Sequence, residues 1–67
     1  MYISPQQTAT GLVLYDITGI EVFNTIQELP ADGQSVVALP NLPKWAYIYT
    51  IFNNEYEVVY TNKIIFQ

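Results

Sequence analysis

Cysteine and histidine are both absent from this 67-residue sequence. Without cysteine there is no disulfide and no thiolate metal site. Without histidine there is no imidazole ligand and no histidine acid–base chemistry. Charge is scarce as well. Charged residues make up 12% of the chain, against about 25% in an ordinary globular domain. Lys44 and Lys63 are the only cations, and the net charge is −4. That balance argues against a nucleic-acid surface, which concentrates lysine and arginine, and disfavours anionic membranes. No apolar run is long enough to cross a membrane. The opening MYISPQQTATG has no basic region followed by an apolar one, so it does not read as a signal peptide. The expectation is a chain that works where it is made, or a fragment of a longer exported protein.

What the chain has is apolar surface. Hydrophobic residues reach 51% and aromatics 15%. So short a chain allows one small domain, with a modest core and a large surface relative to it. Such folds usually need a staple or a partner. Two readings follow: a tight, tyrosine-rich core under a Thr/Asn/Gln surface, or an apolar surface that docks onto another protein.

The local pattern is that of strands. Residues 1–10 read as an N-terminal arm or edge strand, and 11–67 as a single β-sandwich domain. LVLYD, residues 12–16, is rich in strand formers. Asp16 and Gly19 then suit a type I turn with a glycine bulge, closing a hairpin. IEVFNT, 20–25, alternates as the return strand, with Ile20, Val22 and Asn24 on one face and Glu21 and Phe23 on the other. Residues 26–34 read as a loop and 35–39 as a short strand. The prolines around Asn41, with Pro43 the second, mark a turn. AYIYTIF, 46–52, is apolar at both parities and reads as a central strand buried on both faces. Asn53-Asn54 reads as a tight hairpin. EYEVVYT, 55–61, alternates so that Tyr56, Val58 and Tyr60 face in and Glu55 and Glu57 face out. Asn62 breaks the ladder before KIIFQ, a further strand or a continuation. No segment shows helical spacing with a cap. The fold class is all-β: five or six short strands in a small antiparallel β-sandwich or an incomplete Ig-like fold.

No catalytic set emerges. Asp16-Ile17-Thr18-Gly19 superficially matches an aspartic-protease Asp-Thr-Gly. Ile17 interrupts it, and the second carboxylate-bearing copy is missing. Glu55 and Glu57 share a strand face, but a solvated face explains them better than a carboxylate pair in a pocket. Asp32-Gly33 lacks the ligand run of a calcium loop. Ser4, Ser35 and the threonines have no base beside them. The expectation is a non-enzyme with no metal and no cofactor. Tyr47, Tyr49 and Ile51 share one face. An aromatic platform would read that way, but so would a core, and core is favoured for Tyr47. Trp45, at a strand entrance after Pro43-Lys44, is the leading interface anchor. Lys44, Tyr49, Phe52 and Phe66 are the other interface candidates.

Three ordered elements resemble a known family. They are Leu14-Tyr15-Asp16 with Gly19, then Leu39, Leu42, Pro43 and Tyr47, then Lys63-Ile64-Ile65 leading the tail. The pattern is similar to the C-terminal sorting domain of type IX (Por) secretion cargo in Bacteroidetes, over residues 12–67. The resemblance implies a non-catalytic module recognised by outer-membrane secretion and attachment machinery. Lys63, Ile64, Ile65, Phe66 and Gln67 would then carry the sorting signal, by strand addition. It implies a cell-surface or secreted location as part of a longer protein. The alternative is a small structural subunit of a larger assembly, such as a virion or surface fibre, contacting its neighbours through apolar surface and strand edges. Both readings call for a protein partner, with self-association left open.

Overall fold

Alternating apolar residues in the middle of the chain build one face that must be covered. In the computed structural model, which describes residues 1–66, six strands do so. They are β1 (Tyr2–Ile3), β2 (Ala9–Asp16), β3 (Glu21–Leu29), β4 (Ser35–Val36), β5 (Ala46–Phe52) and β6 (Val58–Ile65). The larger sheet is antiparallel in the order β3-β2-β5-β6, and the smaller pairs β1 with β4. No helix forms among the described residues. The all-β sandwich expected from the sequence is therefore the architecture, with two unequal layers.

The core lies between those layers. Leu12, Leu14, Leu29, Val37 and Ile51 are fully buried, and Tyr47, Ile3 and Ala9 nearly or equally so. Leu12 pairs with Thr25 on one side and Ile51 on the other. Each such side chain contributes about 1.5–3 kcal/mol on burial. The arm does not hang free. Ile3 and Ala9 sit in the core cluster, and Met1 packs against it. Met1 and Val37 exchange two backbone hydrogen bonds, at 2.8 and 3.0 Å. Gln27 donates to the Val36 carbonyl at 2.8 Å, tying β4 to the edge of β3.

Several local expectations are corrected. β2 begins at Ala9 rather than Leu12, and β3 runs to Leu29 through a stretch expected to be loop. Leu29 keeps the strand going because it reaches the core opposite Ala9, past a register shift between Ala9 and Gly11. A second shift, between Leu14 and Tyr15, puts Phe23 opposite Leu14 and Glu21 opposite Tyr15. Glu21 and Phe23 thus lie on opposite faces; the residue added at the bulge breaks the simple alternation. β4 is only two residues long; the Val37–Met1 bonds continue its pairing by one residue, and the prolines that follow cannot extend a ladder.

The strand after the Asn53 turn starts at Val58, not Glu55. Tyr56 belongs to the turn and is 86% exposed, and Val58, opposite Phe52, faces outward at 60%; Tyr60, opposite Ile51 across a register shift, does face inward but stays 48% exposed. Asn62 does not break the ladder. It pairs with Tyr49, and β6 continues through Lys63 to Ile65. β5 is central, as expected, but it is buried on one face only, with Ile48 40% exposed on the other. The small β1–β4 layer covers one side of the sheet, and among the described residues nothing covers the other.

Candidate docking face and groove

Register defines the uncovered face. Successive strand residues point to opposite sides, and Leu12, Leu14, Tyr47 and Ile51 point to the core. Their neighbours therefore point outward. One outward row joins Ile26, Gly11, Phe52 and Val58; a second joins Asn24, Val13, Thr50 and Thr61. A third joins Glu21, Tyr15, Ile48 and Lys63, and Ala46 pairs with Ile65 beyond it. Among the described residues nothing packs on this face. Ile26 is 91% exposed and Ile65 59%. Its apolar side chains stand among Asn24, Thr50, Thr61, Glu21 and Lys63, and an uncovered face with this much apolar surface is a candidate interface.

Gly11 interrupts the side chains of that face. A Cβ there would stand 3.3 Å from the Thr25 carbonyl oxygen, and without one the sheet backbone is open. The result is a groove of about 450 Å³. Gly11, Val13, Glu21, Ile26, Phe52 and Tyr56 are among the residues that line it. Asn24 donates to Glu21 Oε2 at 2.8 Å, holding that carboxylate in place. A second hollow of about 320 Å³ lies under the arm, between Pro5 and Gln6 on one side and Tyr49 and Tyr60 on the other.

Two hairpin turns with the same hydrogen bonds bound the larger sheet. In the first, Asp16 N–H donates to Ile20 O and Gly19 N–H to Asp16 O. In the second, Asn53 N–H donates to Glu57 O and Tyr56 N–H to Asn53 O. The side-chain caps also match. Asp16 Oδ1 accepts from the Thr18 and Ile20 amides, and Asn53 Oδ1 from the Glu55 and Glu57 amides. The turn expected at Asp16–Gly19 is thus present, with Gly19 at φ 89°. The Asn53 turn is longer than a two-residue hairpin. Its left-handed residue is Tyr56, at φ 60°, rather than an asparagine.

The caps make the first turn pH-sensitive. The Thr18 hydroxyl, then the Ile20 amide, hold the Asp16 carboxyl below its ordinary value of 3.8. A carboxylate so depressed adds stability above the unfolded value, and that stability is lost as pH falls through the folded value. Asp16→Asn should keep the acceptor, as Asn53 does, and remove the titration. Its melting temperature should therefore fall less steeply than the wild type's on acidification below about pH 4. Parallel slopes for the two proteins in thermal melts would refute this.

The residues singled out in the sequence fall in different places. Trp45 is 57% exposed and Lys44 is exposed beside it. Phe52 is half-buried and lines the groove. Tyr49 lies on the inner face, its ring 6.1 Å from that of Tyr60. Burial, then the neighbouring Tyr60, pushes the Tyr49 phenol above its ordinary range. Phe66 packs against Tyr47 with ring centres 5.2 Å apart, and the Tyr47 hydroxyl donates to the Pro43 carbonyl at 2.7 Å. Lys63, Ile64 and Ile65 all lie on β6, and Gln67 lies outside the described residues. Asn54 is an exposed turn residue.

Gly11, Val13, Ile26 and Tyr56 were not singled out. A glycine inside a strand pattern is a signal of close approach or a bulge, and Gly11 carried it. Among the described residues no group of three or more acidic side chains could hold a metal ion. In comparisons with known proteins, no family model, no curated protein and no solved structure matches this chain.

Proposed function

We propose that this chain is a non-catalytic docking module, a structural subunit that meets its neighbours through the outer face of its larger sheet and through its free strand edges. One observation carries the reading. The outer face spans four strands, carries Val13, Tyr15, Ile26, Ile48, Phe52, Val58 and Ile65 between polar residues such as Asn24, Thr50 and Thr61, and has no covering layer among the described residues. Burying such side chains against a partner gains the same hydrophobic free energy that the one-sided core leaves unused. A larger particle or a surface fibre supplies such partners.

The test is photo-crosslinking in the native host. A photoreactive residue is placed at Ile48 on the outer face and, separately, at Gln6 on the exposed arm. Discrete adducts at Ile48 but not at Gln6 are the expected result. No adduct at Ile48, or equal adducts at both, would reject the docking face.

A second reading has its own support. Lys63, Ile64 and Ile65 belong to β6, which stands at the end of the strand order with one edge unpaired among the described residues. An unpaired edge is what strand addition requires. This supports a sorting or attachment module of the type IX kind, delivered to the cell surface as part of a longer protein. A reporter fused ahead of the chain would then reach the surface of a type IX-secreting host, and a Lys63→Pro variant would stay behind. Equal export of both fusions would count against it.

A further inference from the structure

The docking reading leaves open what enters the groove over Gly11. We propose that its occupant is the Lys44–Trp45 corner of a second copy, so that chains join head to tail. The inference rests on the docking reading and goes beyond it by naming partner and contact.

Four observations converge. The first is position. Trp45 immediately precedes β5, while Phe52, at the end of β5, lines the groove. The two features are separated by the strand's length, about 23 Å at some 3.3 Å per residue. A patch at one end that fits a patch at the other makes a heterologous contact. Such a contact repeats rather than closes on itself. The second is size. A groove of about 450 Å³ is within the range that encloses a small ligand, and has room for one indole. Tryptophan is also among the residues enriched at interface hot spots.

The third is charge. Copies with a net charge of −4 repel one another. A self-contact is therefore favoured where it brings one of the chain's two lysines against carboxylates. Glu21 lines the groove, and Glu55 and Glu57 flank Tyr56 in the adjoining turn. Lys44 is the cation that sits beside an exposed aromatic anchor. The groove thus suits an apolar side chain next to a positive charge, and Trp45 and Lys44 present that pair, exposed, at the end of β5 away from Phe52.

The fourth is strain. Tyr56 holds a left-handed backbone that its twin turn gives to Gly19, yet burial does not compensate, since the side chain is 86% exposed. Strained positions of this sort gather at binding sites. Here the strain sets an aromatic ring at the groove, where it meets the incoming corner.

The experiment is sedimentation velocity on the full chain over a concentration series, with circular dichroism to check the fold. Two variants alter exposed side chains only: Trp45→Ser removes the corner, and Ile26→Lys sets a cation on the groove wall against Lys44. Wild type should form an open series of oligomers that grows with concentration. Each variant alone should need at least tenfold more protein to associate. An equimolar mixture should give dimers and stop there, because the groove of one variant and the corner of the other make a single intact junction. Three results would overturn the proposal: wild type monomeric throughout, either variant assembling like wild type, or a mixture as monomeric as its components. A monomeric wild type whose Ile48 still crosslinks to a foreign protein would end the self-contact and leave the docking face standing.

Discussion

Leu12→Ala is expected to remove about 3 kcal/mol of stability, within the range of about 2–5 found for leucine truncations in cores. Leu12 is fully buried at the middle of β2, with Ile51 and Thr25 opposite it on its two neighbours. It belongs to the cluster that joins both layers, together with Ile3, Leu29 and Val37. Truncation therefore opens a cavity where the arm, β2, β3 and β5 meet. At roughly 0.05–0.15 kcal/mol per residue, a chain of this length holds about 3–10 kcal/mol in all. The loss is then a third or more of the total. Urea unfolding followed by circular dichroism measures it, with Ile26→Ala as the reference. Ile26 is 91% exposed, so its truncation should stay within about 0.5 kcal/mol of wild type. If Leu12→Ala matched Ile26→Ala, the core would not lie between the two sheets as described.

Tyr56→Gly should act the other way, stabilising the fold by about 1 kcal/mol and weakening assembly. The left-handed conformation costs a side-chain-bearing residue about 1–2 kcal/mol. Glycine avoids that cost but loses more backbone freedom on folding, about 0.5–1 kcal/mol. The Gly19 turn, with the same bonds in the same places, shows that glycine satisfies the geometry. Little packing is given up, because Tyr56 is 86% exposed. For a domain of this size the gain corresponds to a rise in melting temperature of about 4–8 °C. In sedimentation the same variant should associate less readily than wild type, since the groove loses one of its lining rings. A lower melting temperature would mean that Tyr56 contributes packing to the folded monomer. Undiminished association would remove it from the groove's function. Fold and interface pulling in opposite directions at one residue is the pattern expected where strain is kept for binding.

The turns and the central strand could be read directly from residues. Asp16 and Gly19 announced a bulged type I turn because their side-chain chemistry, a carboxylate acceptor and a missing Cβ, is needed at those positions whatever surrounds them. AYIYTIF announced β5 to the residue. The outer layer of information was less visible. Ile26 was assigned to a loop, because an apolar residue near Pro30 and Gly33 gives no sign of a strand whose far end is secured by Leu29 and a bulge. Tyr56, Val58 and Tyr60 alternate as one face in the sequence, but Tyr56 belongs to the turn, and the register shift between Ile51 and Phe52 turns Val58 outward while Tyr60 stays on the inner face.

The candidate site was legible only in part for the same reason. Trp45, with Lys44 beside it, stood out because a tryptophan that follows a proline turn at a strand entrance is placed at the rim of the sheet. The groove did not, because it is assembled from three separate segments: Gly11 and Val13, Glu21 to Ile26, and Phe52 with the turn to Tyr56. No stretch of sequence holds it.

By itself, then, the sequence determined that this is an all-β chain without cysteine or histidine chemistry, with Asp16 and Asn53 at its hairpin turns and more apolar side chains than its size can bury. These follow from composition and from local backbone preference, which act over a few residues. Only the tertiary structure decided which face of the large sheet the short β1–β4 layer covers, and hence that Leu12 and Ile51 are core while Val13, Ile48 and Phe52 face outward. That choice depends on register and bulges set by contacts between distant strands, where a shift of one residue exchanges the two faces.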